Sequence, residues 1–250
     1  MKKILLILLC IPMIGFGQNT YVPDDNFEAY LEANGMGNGI VNDDNVYTSA
    51  IDSVTELHIS SLNINDLTGI EDFASLISLD CDDNNLTNLN ISTNTSLFNL
   101  DCSSNNLTSL NVSGASVLNN LYCSNNNLIS LDVSGATAVR SFDCENNQLT
   151  MLDVRNGNNI NFYNFYTTGN PNLTCINVDN DSYSNANWTN IDFQHYFSTN
   201  CSGSTSTEEQ FKNKELLKVT DILGRETKQS NLPLLYIYND GTVEKRIVID

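Results

Sequence analysis

Four stretches of this chain say nearly the same thing at one interval: LDCDDNNLTNLNIS at 79–92, LDCSSNNLTSLNVS at 100–113, LYCSNNNLISLDVS at 121–134 and FDCENNQLTMLDVR at 142–155. Cys81, Cys102, Cys123 and Cys144 therefore stand 21 residues apart, and the apolar positions keep step with them. One column reads Leu76, Leu97, Leu118, Val139, Ile160, and the next Leu79, Leu100, Leu121, Phe142, Tyr163. Three more follow on the far side of each repeat, led by Leu86, Leu89 and Ile91. Asn84, Asn105, Asn126 and Asn147 form a polar column. A fixed period of this length excludes an ordinary globular core. One repeat cannot bury its leucines alone, so successive repeats must stack as coils and bury them against each other.

Within a coil, Leu100-Asp101-Cys102-Ser103 alternates with period two, which predicts a short strand with leucine and cysteine inward and aspartate and serine outward. Strands of successive coils then lie about 4.8 Å apart in a parallel sheet. Each asparagine falls where the chain leaves the strand, where its amide can serve loop backbone groups that no ladder satisfies. About six inward apolar side chains per coil are each worth roughly 1.5–3 kcal/mol before chain entropy is subtracted. The L-x-x-L-x-C-x-x-N-x-L phrase resembles the leucine-rich repeat family over about residues 54–178. The resemblance implies a mainly β fold with minor helix: a right-handed solenoid of about six coils that meets its partners on the strand face.

The cysteines sit in a column that leucine or isoleucine usually fills, with Phe165 expected in the same slot one coil later. Buried free thiols are the expectation, since free cysteine behaves as a small hydrophobe. In-register neighbours place Cβ atoms about 4.8 Å apart, too far for a disulfide, and four sulfurs in a row cannot converge on a zinc tetrahedron.

The flanks divide the rest. Residues 1–17, with Lys2 and Lys3 before an apolar run and glycines at 15 and 17, read as a signal peptide too short to span a bilayer. Cys10 follows Leu9 rather than a small residue, which argues against a lipid anchor. In the mature chain no stretch has the length of a transmembrane segment. Residues 18–53 form an N-terminal cap, its helix in VPDDNFEAYLEANG capped by Asp24 or Asp25, presenting Phe27, Tyr30 and Leu31, and stopped at Gly35. The solenoid at 54–178 is followed by a C-terminal cap at 179–203 that holds Trp188. Cys175 and Cys201, both off the repeat column in an exported chain, are expected to pair and close it. A polar linker at 204–211 leads to a tail at 212–250 with three strand-like runs, the last two joined around Asn239-Asp240-Gly241. VTDILGRE and GTVEKRIVID in this tail resemble the type A sorting domain of the type IX secretion system of gram-negative bacteria. That resemblance implies recognition by the secretion machinery, outer-membrane passage and removal of the tail, often with attachment at the cell surface.

The net charge is −19, and between Gln18 and Gly203 the only lysines or arginines are Arg140 and Arg155. Such a body repels phosphate backbones, so nucleic acid is not an expected partner. His58 and His195, the only histidines, lie in no metal or nucleophile motif, and no catalytic constellation appears. A non-enzymatic module is expected, with an extracellular protein or glycan as its partner. The middle outward column reads His58, Asp80, Asp101, Tyr122, Asp143, Asn164, with Phe162 and Tyr166 expected on the flanking columns. Asp80, Asp101, Tyr122, Asp143, Phe162 and Tyr166 are the candidate ligand contacts, because aromatic anchors dominate interface energetics. Asp80 and Asp101 are expected to be direct neighbours, a repulsive placement. With Asp82 they offer carboxylate oxygens for calcium, the one cofactor the sequence suggests.

Overall fold

The computed structural model describes residues 18–201, 216–221, 234–238 and 243–246. The expected signal peptide, linker and Asn239-Asp240-Gly241 turn lie outside the described residues. The chain divides into two compact units, Met1–Thr199 and Asn200–Asp250.

The first unit opens with a cap: β1 (Asn19–Tyr21), α1 (Asp25–Ala33), β2 (Asn45–Tyr47) and α2 (Thr48–Ile51), with β1 and β2 antiparallel. Asp24 is the N-cap of α1, accepting from the backbone N–H groups of Asn26 and Phe27. Phe27 and Leu31 are fully buried, Phe27 against Phe73 of the first coil at 6.2 Å between ring centroids. Gly35 follows the helix with a φ of 74°, a left-handed turn that glycine adopts without a Cβ clash.

The coils follow as β3 (Glu56–His58), β4 (Ser78–Asp80), β5 (Asn88–Asn90), β6 (Asn99–Asp101), β7 (Ser109–Asn111), β8 (Asn120–Tyr122), β9 (Ser130–Asp132), β10 (Ser141–Asp143), β11 (Met151–Asp153), β12 (Asn164–Tyr166) and β13 (Cys175–Asn177). α3 (Asp181–Asn187) and β14 (Tyr196–Ser198) complete the unit. The front sheet is six-stranded and parallel, in the order β12-β10-β8-β6-β4-β3, with Leu57, Leu79, Leu100, Leu121, Phe142 and Phe165 in register. The back carries β5-β7 and β9-β11-β13-β14. The winding continues past residue 178: Asn190 bridges to Tyr166 and β14 pairs with β13. The C-terminal cap therefore holds most of a seventh turn.

One column bends the backbone at each strand exit, and a second satisfies its polar groups. Ser61, Asp83, Ser104, Asn125 and Asn146 all have φ between 52° and 58°, and Gly169 takes the same place in the next coil at 75°. Small polar residues and glycine tolerate this region best, which is why β-branched residues are absent from that column. Beside it runs the asparagine column. Asn126 Nδ2 donates to the carbonyls of Cys102, Cys123 and Ser124, and its Oδ1 accepts from Leu107 N–H. Asn84, Asn105 and Asn147 repeat the pattern, and Asn170 extends it one coil further. The ladder ends on His195. Its ring is buried, with Nδ1 accepting from Asp192 N–H at 3.2 Å and Nε2 3.3 Å from the Asn170 carbonyl. Burial draws its pKa down, against the pull of the Asn170 carbonyl and of Asp192, so the ring is a neutral structural group.

The last regular coil departs from the 21-residue period. Phe142 pairs with Phe165, a step of 23. Ile160 and Tyr163, expected inward, are 62% exposed, while Phe162, expected outward, is only 7% exposed. Thr167, not Phe165, takes the cysteine slot: Cys144 N–H donates to Tyr166 O just as Cys123 N–H donates to Asp143 O. The cause is the seventh turn. Trp188 stacks on Phe165 at 3.9 Å and lies 5.4 Å from both Phe162 and Phe197. Closing an open solenoid end calls for a broad apolar plate. Phe162 and Phe165 supply one that Ile160 and Tyr163 would not. Cys175 and Cys201 are disulfide-bonded.

In the second unit, β15 (Leu216–Asp221), β16 (Leu234–Tyr238) and β17 (Val243–Arg246) form an antiparallel sheet in that order.

Candidate functional site

The outward face of the front sheet carries three columns. The middle one is His58, Asp80, Asp101, Tyr122, Asp143 and Tyr166. Five of the six expected contact residues, Asp80, Asp101, Tyr122, Asp143 and Tyr166, thus share a single line, all half-buried. Tyr166 has moved from the flank to the middle, displacing Asn164 by the two-residue step. Phe162 is corrected: expected outward, it packs into the core 6.1 Å from Phe165 and meets the surface only where it lines a hollow with Tyr163 and Tyr166.

Chemistry changes along this line. The N-terminal half is acidic. Asp80 lies directly beside Asp101, and His58 sits 3.6 Å from Glu56 and 3.9 Å from Asp80. The Ser60 hydroxyl pulls the Asp82 carboxyl down, but desolvation and the carboxylates of Asp80 and Asp101 outweigh it and leave Asp82 above its ordinary value. Burial likewise raises Asp143, opposed by the Glu145 N–H and the Ser124 hydroxyl that bond it. Asp80, Asp82 and Asp101 are not among the described residues whose carboxylate oxygens converge on one point. Those are Asp25, Glu28 and Asp44, in the N-terminal cap.

In the C-terminal half, tyrosines and amides surround the single middle-column carboxylate of Asp143. Tyr122 leans over the next strand, its hydroxyl 3.1 Å from Ser141 Oγ, which also accepts from Asn164 Nδ2 at 3.2 Å. Tyr163 lies exposed along the same face and donates to Asn120 Oδ1 at 2.9 Å, while Asn120 Nδ2 donates to Asn99 Oδ1. Tyr166 donates to Asn164 Oδ1 at 3.3 Å. Beside it, Tyr163, Asn164, Tyr166, Tyr183 and Asn190 line a hollow of about 170 Å³. Tyr163, expected inward, is the residue of this face that sequence reasoning missed. The available signal was that Phe162 and Phe165 are spaced by three, like Leu76 and Leu79, which permits a shifted register. These side chains hold one another by hydrogen bonds, so the face is ordered before anything binds.

The inward side explains the cysteines. Cys81, Cys102, Cys123 and Cys144 are free, fully buried and stacked. Cys81 Sγ donates to Asp101 O, Cys102 Sγ to Tyr122 O and Cys123 Sγ to Asp143 O, at 3.3–3.4 Å. The first three thiols thus bond the backbone of the next coil, and all four fill small apolar slots.

No protein-family model matches the chain, and no curated protein matches it. Solved structures do. The functional domain of InlJ from Listeria monocytogenes, described as including a cysteine ladder, aligns with a TM-score of 0.50 at 29% identity, over 65% of this chain and 38% of that one. The internalin InlF of the same species gives 0.42 at 19% identity, over 71% of this chain and 56% of that one. The internalin InlC2 gives 0.39 at 19%, over 72% and 98%. The chain spans well under half the length of the InlJ domain it matches. With the stacked cysteines, the asparagine ladder and the parallel front sheet, the likeness to InlJ identifies the chain's architecture as the leucine-rich repeat solenoid.

Proposed function

We propose that this protein is an extracellular or cell-surface recognition and adhesion module that binds a protein or glycan on the strand face of its solenoid. The observation that carries this reading is the patch of Tyr122, Tyr163 and Tyr166, held by Asn120, Ser141 and Asn164 on an otherwise polar sheet. Tyrosine rings stack on apolar faces of sugars or side chains, and the surrounding amides and hydroxyls satisfy the polar groups that such a ligand brings. Rigid aromatic side chains also lose little entropy on binding. The Cys175–Cys201 disulfide is a bond of oxidising compartments, which supports export.

Arrays of glycans and extracellular proteins, probed with the whole chain, supply the ligand. The triple substitution Tyr122→Ala, Tyr163→Ala, Tyr166→Ala is then expected to weaken binding by about a hundredfold or more, at roughly 1–2 kcal/mol per anchor. Undiminished cell or glycan binding by a folded triple variant would leave a structural surface protein without a specific ligand as the better account.

The route of export forms part of the proposal: a type IX-like pathway that reads the tail at 212–250. Deleting those residues is expected to hold the solenoid in the periplasm. Fractionation that finds the truncated chain at the cell surface would refute that route and leave the strand-face reading untouched.

A further inference from the structure

Glu28 presents a problem of charge that the rest of the fold does not solve. It lies on α1 beside Phe27 and is 0% exposed. One carboxylate oxygen, Oε1, accepts from Asp43 N–H at 3.1 Å, and the other, Oε2, has no partner. Its neighbour Asp24 is also buried, yet there the two oxygens accept from the backbone N–H groups of Asn26, Phe27, Asn65 and Asp66. Glu32 likewise accepts from Asn38 and Gly39 N–H, and Asp43 from Asn45 N–H. Glu28 alone among these is left half-satisfied, and no lysine or arginine occurs between Lys3 and Arg140 to pair with it. A buried carboxylate in that position is costly unless it is paired or bound to a metal.

Two more carboxylates stand beside it. Oxygen atoms of Asp25, Glu28 and Asp44 all lie within 4.8 Å of one another. Asp25 is exposed at the start of α1, and Asp44 is half-buried in the following loop, where its φ of 59° turns the chain and its carbonyl accepts from Val22 N–H. Three carboxylates this close, one of them buried with an oxygen that has no partner, repel one another and lack only a cation. We propose that Asp25, Glu28 and Asp44 bind a hard divalent cation, calcium in particular, and so clamp α1 to the loop before β2. The donor set is oxygen only, which suits calcium or magnesium rather than zinc or copper. Calcium accepts a flexible shell of six to eight oxygens where magnesium demands a near-ideal octahedron, and the exposed Asp25 side leaves room for the waters that complete a calcium shell.

The test uses the whole chain, stripped with EDTA and then titrated with calcium chloride. Calcium at a hundredfold excess over its dissociation constant is expected to raise Tm by about 5–10 °C, and calorimetry to give one site per chain. Glu28→Gln and Asp25→Asn are each expected to weaken calcium binding at least tenfold. In EDTA, Glu28→Gln is expected to melt no lower than the parent, because it removes an unpaired charge. Asp25→Asn alters an exposed group and keeps the test decisive should Glu28→Gln fail to fold. An unchanged Tm in calcium would overturn the proposal, as would a shift that survives Asp25→Asn but disappears in Asp80→Asn or Asp101→Asn. An equal response to magnesium would overturn the assignment to calcium.

Discussion

Asn126→Ala is expected to lower the stability of the solenoid by about 4 kcal/mol, far more than a side chain of that size suggests. Asn126 donates to the carbonyls of Cys102, Cys123 and Ser124 and accepts from Leu107 N–H, all at 2.8–3.2 Å and away from water. Truncation leaves those four backbone groups without this partner. A lost hydrogen bond is worth roughly 1 kcal/mol, and a buried unsatisfied group costs about 1–3 kcal/mol, so the sum lies near the figure given even after some relaxation. The position also ties two successive coils, and a solenoid's stability is the sum of such nearest-neighbour terms. Asn126→Asp should be worse still, because a carboxylate cannot donate and would face three carbonyl oxygens. Asn106→Ala, an exposed asparagine one coil earlier, serves as the control and should change stability by less than about 0.5 kcal/mol. Urea titration of the three variants decides the matter. A loss below 1 kcal/mol for Asn126→Ala would show that water or neighbouring amides replace the ladder.

That ladder is legible in the amino-acid sequence, and so is most of the fold, because a repeat that carries its own partners needs no distant information. The spacing of Leu79, Leu100 and Leu121 sets the sheet register, and a cysteine at constant phase in the inward alternation must be interior. A cap at Asp24 or Asp25 can be read because capping is a local interaction, and the bonds to Asn26 and Phe27 N–H select Asp24. What escapes is long-range. NFYNFY at 161–166 offers two inward pairs spaced by three, Ile160 with Tyr163 and Phe162 with Phe165, and periodicity alone favours the first. Trp188, some two dozen residues later, selects the second by needing a flat aromatic partner. This choice moves Phe162 into the core and brings Tyr163 onto the candidate face. Glu28 escapes for the same reason: its burial is set by the loop at 40–44 folding over α1, and no local pattern marks it. Local rules thus supply the coils, while contacts between turns decide which side chains face a ligand.

Raising the pH is expected to unfold this protein early, through its thiols. Burial pushes the pKa of Cys81, Cys102, Cys123 and Cys144 well up, and for the first three the next thiol in the stack adds to it. For Cys144 the carboxylates of Asp143 and Glu145 take that part. Once the chain unfolds, the same thiols ionise near pH 8.5–9. Above that range the unfolded state sheds protons that the folded state keeps, so stability falls as pH rises, and below it the four contribute no slope. Each thiol withdraws up to about 1.4 kcal/mol per pH unit, so four together remove roughly 4–5 kcal/mol by pH 9.5. Tyrosine and lysine also titrate in this region, which makes the comparison with a variant necessary. Cys123→Ala is expected to abolish about a quarter of the slope, whatever its effect at pH 7. Iodoacetamide should meanwhile label none of the four in native protein at pH 8, and all of them in urea. Prompt native labelling, or a stability that stays level to pH 10, would mean that these sulfurs reach water, and the inward phase assigned to every coil would then be wrong.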